Sequence, residues 1–62
     1  MCLSTVYQNT KNEASVVMRN VMRIDCGEDT VTLTDLMDRT VTLEGVLESA
    51  NLVDGFVIVK TK

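Results

Sequence analysis

Histidine is absent from this 62-residue chain, and so are proline and tryptophan. Without histidine, a cysteine or serine has no ordinary base beside it, so the usual thiol and hydroxyl dyads of catalysis are excluded. Aromatic residues are reduced to one tyrosine and one phenylalanine, which leaves little on which to stack nucleic-acid bases. The three glycines, Gly27, Gly45 and Gly55, stand alone and form no phosphate-cradling loop. Two cysteines are too few for a disulfide framework. The longest unbroken apolar run is Phe56–Val59, far too short to cross a bilayer. No basic segment precedes an apolar one in the manner of a signal peptide. The reading is a cytoplasmic protein with reduced thiols, without membrane attachment.

What is present favours strands. Ten valines, eight threonines and two isoleucines are β-branched, and such side chains suit a pleated surface better than a helix. Hydrophobic residues make up 45% of the chain, enough for a globular fold. The length fits one domain, residues 1–62. A core this small rarely supplies more than about 3–5 kcal/mol, so pairing with a second copy is expected.

Apolar and polar residues alternate almost throughout, which is the strand period. Leu3, Thr5 and Tyr7 share one face of the first segment, and Cys2, Ser4 and Val6 the other. Asn9 to Asn12 is a turn. Ala14 to Met18 and Val21 to Asp25 form a second stretch, bent near Asn20. Cys26 to Asp29 is another turn, in which Gly27 is free to take positive φ. Thr30-Val31-Thr32-Leu33 then recurs as Thr40-Val41-Thr42-Leu43. The echo reads as two neighbouring strands with Val and Leu inward and Thr outward, joined by a hairpin over Asp35–Arg39. Leu33 to Asp38 is also compatible with a helical turn. Gly45 marks a bend or bulge. Val46 to Ala50 is a strand or one helical turn, Asn51 to Gly55 a turn, and Phe56 to Val59 the last strand. The fold class is all-β: a small antiparallel barrel or sandwich of five to seven short strands, of SH3-like or OB-like size.

Few residues carry chemistry. The acids in pairs, Asp35 with Asp38 and Glu28 with Asp29, solvate turns and lack the spacing of a calcium loop. Nine acids against six bases give a net charge of −3, so nucleic acid is an unlikely partner: phosphate contacts need clustered Lys and Arg. Arg19, Arg23, Lys60 and Lys62 are the nearest approach to a basic patch. Met18 and Met22 are read as core filling on one side of a strand, in preference to a soft-metal site. Cys26 lies in an acidic turn and is read as incidental.

Cys2 is distinguished by position. Initiator methionine is generally removed when a small residue follows, and the mature chain then begins with cysteine. Its α-amine and thiolate close a five-membered chelate on a metal. The amine titrates at about 8 and the thiol at about 8.5, so a metal displaces both protons near neutrality. Two chains side by side offer two nitrogens and two sulfurs, a set that suits Ni(II) or Cu(II) in tetragonal geometry, whereas tetrahedral sulfur-rich sites suit zinc. The other reading of Cys2 is a buried, inert thiol.

The opening Met1-Cys2-Leu3-Ser4-Thr5-Val6-Tyr7 resembles the CooT family, small nickel-binding accessory proteins of carbon monoxide dehydrogenase maturation. The Val16-Val17-Met18 strand, the Leu33-Thr34-Asp35-Leu36 segment and the short apolar strand after Leu52 extend the likeness over nearly the whole chain. The resemblance implies a homodimer that is not an enzyme, binding Ni(II) through the Cys2 of both chains and delivering it to a client nickel enzyme. Some members of that family are described as RNA-binding, and a small RNA-binding or protein-interaction module with a structural Cys2 is the alternative. Chaperones of the HypC type also begin Met-Cys-Leu but continue with a Pro-Gly pair, which this proline-free chain lacks. Both families place function on Cys2.

Overall fold

A computed structural model describes residues 3–61. Five strands, β1 (Ser4–Gln8), β2 (Val16–Cys26), β3 (Thr30–Asp35), β4 (Thr40–Asn51) and β5 (Phe56–Thr61), follow one another in the chain. They close into a barrel in the same order. Four of the pairings are antiparallel, as the alternation implied. The closing pair is not: β1 runs parallel to β5, with Thr5 opposite Phe56 and Gln8 opposite Val59. Sequence alternation is blind to that difference, because both ladders have a side-chain period of two.

Closure rests on two long, bent strands. The first half of β2 pairs with β1, from Tyr7↔Val16 to Ser4↔Val21. Its second half pairs with β3, from Val21↔Asp35 to Cys26↔Val31. The bend falls at Asn20, whose φ is +57°; asparagine tolerates this left-handed backbone better than most residues. β4 behaves alike, pairing with β3 up to Thr30↔Glu44 and with β5 from Gly45↔Thr61 onward. The expected bend at Gly45 has a steric cause. A Cβ there would lie 2.2 Å from the Lys60 carbonyl oxygen and 2.8 Å from the Thr61 Cα. Only glycine lets the two backbones approach that closely.

The core is Val6, Val21, Val31, Leu33, Val57 and Val59, with Val17, Met18, Ile24 and Leu43 packed around it. The Thr-Val-Thr-Leu echo becomes adjacent strands, Leu33 opposite Val41 and Thr32 opposite Thr42, so the helical reading of Leu33 to Asp38 falls away. Burial of Val31 and Leu33 follows the alternation, but Thr34 and Asp35 are buried too. Residues Glu13–Ser15 form a 3₁₀ turn, so the second strand starts later than Ala14.

Two expectations are overturned. Met18 and Met22 do not share a face: Met18 packs on the core, while Met22 is about half exposed at 49%. The left-handed residue at Asn20 and the register shift between Val21 and Arg23 break the simple alternation between them. Among the glycines, the left-handed one is Gly55, at φ +76°, and not Gly27. The Gly27 turn is closed instead by its own N–H, which donates to the Thr30 carbonyl at 2.8 Å.

Candidate functional site

Cys2, the residue singled out for metal binding, lies outside the described residues, as do Met1 and Lys62. The structure does describe the residues that follow it in the chain. Leu3 leads directly into β1, at the end of the barrel where Ser4 meets Val21 and Thr5 meets Phe56. The Thr5 N–H donates to the Gly55 carbonyl at 3.0 Å, which ties the start of β1 to the β4–β5 turn. A groove of about 260 Å³ opens there, lined by Ser4, Val21, Met22, Ile24, Ala50 and Leu52 among others.

The β4–β5 turn is held by its own first residue. The Asn51 side-chain oxygen accepts from the Val53 and Asp54 N–H groups at 3.1 and 2.8 Å, and its amide donates to Asp54 Oδ2 at 3.1 Å. The Gly55 N–H returns to the Asn51 carbonyl at 2.9 Å. This bonding holds Leu52 and Val53 in solvent, 75% and 95% exposed. Asparagine followed by Asp-Gly signals such a turn in sequence, but nothing in the alternation gave its apolar tip a purpose.

The remaining candidates lie elsewhere. Cys26 is exposed and free, five residues beyond Val21 on β2, roughly 16 Å along the strand. Among the described residues no three His, Cys, Asp or Glu side chains come together as a metal site. The basic residues are not pooled: Arg19 pairs with Glu13 at 3.1 Å and Arg23 with Asp25 at 3.0 Å. Phe56 meets Tyr7 edge-on at 6.3 Å, and the Lys11 ammonium covers its ring at 4.4 Å. The two rings are thus engaged with the protein itself.

A second, larger groove of about 830 Å³ runs between Val17, Met18 and Asn20 on one side and Asp35, Arg39 and Val41 on the other. Asp35 is 2% exposed and accepts from the Met37 N–H, the Arg39 N–H and the Arg39 guanidinium. The Arg39 N–H, then the Met37 N–H and the guanidinium, outweigh burial and hold its carboxyl below the usual range. Sequence reading placed Asp35 in solvent. The structure makes it the post around which the β3–β4 turn is wound.

No helix among the described residues is long and apolar enough to cross a membrane. No curated protein matches the chain. The crystal structure of a candidate CooT from Carboxydothermus hydrogenoformans superimposes with a TM-score of 0.83 over 98% of each chain, at 14% sequence identity. That likeness is one of fold. The model of the family described as "CO dehydrogenase accessory protein CooT" matches residues 1–60, nearly the whole length, and the chain belongs to the CooT family of carbon monoxide dehydrogenase accessory proteins.

Proposed function

We propose that this protein is a cytoplasmic nickel carrier that holds Ni(II) through Cys2, shared between two copies of the chain, for maturation of carbon monoxide dehydrogenase or a similar nickel enzyme. The observation that carries this reading is the family match that begins at residue 1 and so includes the Met-Cys-Leu opening. The tie between the start of β1 and the β4–β5 turn, in which the Thr5 N–H donates to the Gly55 carbonyl at 3.0 Å, supports the reading by fixing the strand that follows the opening.

The chemistry follows from the donors. Each Cys2 thiolate is a soft, anionic ligand, and an unblocked α-amine beside it completes a chelate. Two such pairs would offer Ni(II) two nitrogens and two sulfurs, a set that suits tetragonal geometry. Nickel here is cargo, and the chain's task is to bind it selectively and give it up.

Titration of Ni(II) into single-cysteine variants tests the reading. Cys2→Ser should abolish tight binding, and Cys26→Ser should leave it nearly unchanged. Equal loss in both variants would refute a site built on Cys2 alone.

A further inference from the structure

We infer that the groove between the first half of β2 and the start of β4 receives an extended peptide segment of a partner protein, in which carboxylates alternate with apolar side chains. The inference goes beyond the nickel site and does not depend on it.

Strand edges make the occupant an extended one. β2 bends at Asn20. The stretch before the bend pairs with β1, and the β3 ladder starts only at Val21. β4 mirrors this: Thr40 to Glu44 pair with β3, and the β5 ladder starts only at Gly45. Among the described residues, both stretches are therefore paired along one edge alone. These are the stretches that wall the groove, Val17 to Asn20 on one side and Arg39 to Val41 on the other. The Leu36 N–H closes its inner corner by donating to the Asn20 carbonyl at 2.9 Å, and from there the edge of β2 runs on without a strand beside it. Such an edge is a template for another strand. A peptide added to it gains affinity from main-chain hydrogen bonds and specificity from alternate side chains.

The lining selects the side chains. Val17, Met18 and Val41 give it an apolar part, and its charged residues are Arg19, Arg39 and Asp35. The two guanidinium side chains are 58% and 72% exposed, whereas the Asp35 carboxylate is 3% exposed. An arriving side chain thus meets the cations and not the buried anion. In formal charge Asp35 offsets Arg39, and Glu13, which stands outside the lining, offsets Arg19. Neither pairing uses up the guanidinium. Arg39 gives Asp35 only its Nε–H, and Arg19 gives Glu13 one Nη2 contact, out of five N–H donors each. The Nη edge of Arg39 remains for a carboxylate of the occupant. At Arg19 a second carboxylate has only to displace Glu13, and exchanging one exposed ion pair for another costs little. Alternation on the peptide then sets the residues between the carboxylates against the apolar part.

A random peptide library displayed on phage and panned against the metal-free protein tests the inference. Selected sequences should be enriched in Asp and Glu alternating with apolar residues. The most frequent one is then synthesised with a fluorescein label and titrated by anisotropy. Arg19→Glu reverses an exposed charge without touching the core, and should raise the dissociation constant roughly tenfold or more. Arg23→Glu makes the same change at the smaller groove and should bind as the wild type does. Two further peptides carry N-methyl groups on alternate amides, one set in each register. One of them should lose binding and the other keep it, because only one register faces the edge of β2. A library that yields no peptide above background, or selected peptides without an excess of acids, overturns the inference. So does equal weakening by Arg23→Glu, which would reduce the effect to net charge. Undiminished binding of both N-methylated peptides would exclude strand addition and sink it as well.

Discussion

Asp35 and Arg39 are bonded to each other three times across one turn: the Arg39 N–H and Nε donate to the two carboxylate oxygens at 2.9 and 2.8 Å, and the Asp35 N–H donates to the Arg39 carbonyl at 2.9 Å. With the Arg39 side chain largely in solvent, the ion pair alone would contribute little. The buried carboxylate and its backbone donors make the arrangement rigid.

That geometry sets an acid limit on stability. The Asp35 carboxyl is held below its ordinary value of 3.8, so the folded state binds its proton less readily than the unfolded chain. The contribution is therefore complete above that value and is lost as pH falls through the lower, folded value. Urea unfolding between pH 6 and 2.5 should show the wild type losing stability below about pH 4. Asp35→Asn should be less stable at pH 6 and show a flatter acid limb. An identical slope in the variant would show that other carboxylates govern acid unfolding.

Gly45→Ala should destabilise the barrel by about 1–3 kcal/mol or more, because the added methyl meets backbone and not a movable side chain. In a chain this short that corresponds to a fall in Tm of at least about 5 °C. Gly27→Ala should cost less, since its nearest obstacle is the Thr30 hydroxyl. Thermal melts of the two variants decide the order.

Covering the α-amine of Cys2 should weaken nickel binding with the thiol intact. A retained Met1, a tag or acetylation converts the amine to an amide, whose proton is far harder to displace. For the processed form, affinity should fall steeply from pH 8 to pH 6, since both donors must lose protons. Equal affinity and an identical thiolate-to-nickel absorption band in the extended form would remove the amine from the ligand set.

RNA binding should be weak and steeply dependent on salt. Arg19 and Arg23 are held by carboxylates, and few other cations are available to displace counterions. Submicromolar affinity for a defined RNA at physiological salt would reverse the ranking of the two functions.

The legible part of the fold was its period. Alternation located all five strands, the hairpin over Asp35–Arg39 and the bends at Asn20 and Gly45, because each depends on local chemistry. The parallel closure of β1 on β5 was hidden, since pairing between distant strands leaves no mark on either strand's pattern. Met22 was misplaced because one left-handed residue and one bulge shift the phase of everything after them. The proposed site is readable only as a position, Cys2 ahead of Leu3, and lies outside the described residues. Its surroundings are not readable, because Leu52 and Val53 read as ordinary apolar residues until the Asn51 turn is seen to hold them in solvent.

The pairing of Thr5 with Phe56 has a consequence for the order of events during synthesis. During synthesis β1 has β2 as an early neighbour, but its other edge waits for β5. The Gly55 carbonyl that holds the Thr5 N–H likewise follows all of β1 to β4. Until β5 emerges, β1 is paired along one edge alone. A chain cut before Phe56 therefore leaves the barrel open at β1, and closure is one of the latest steps available to the fold.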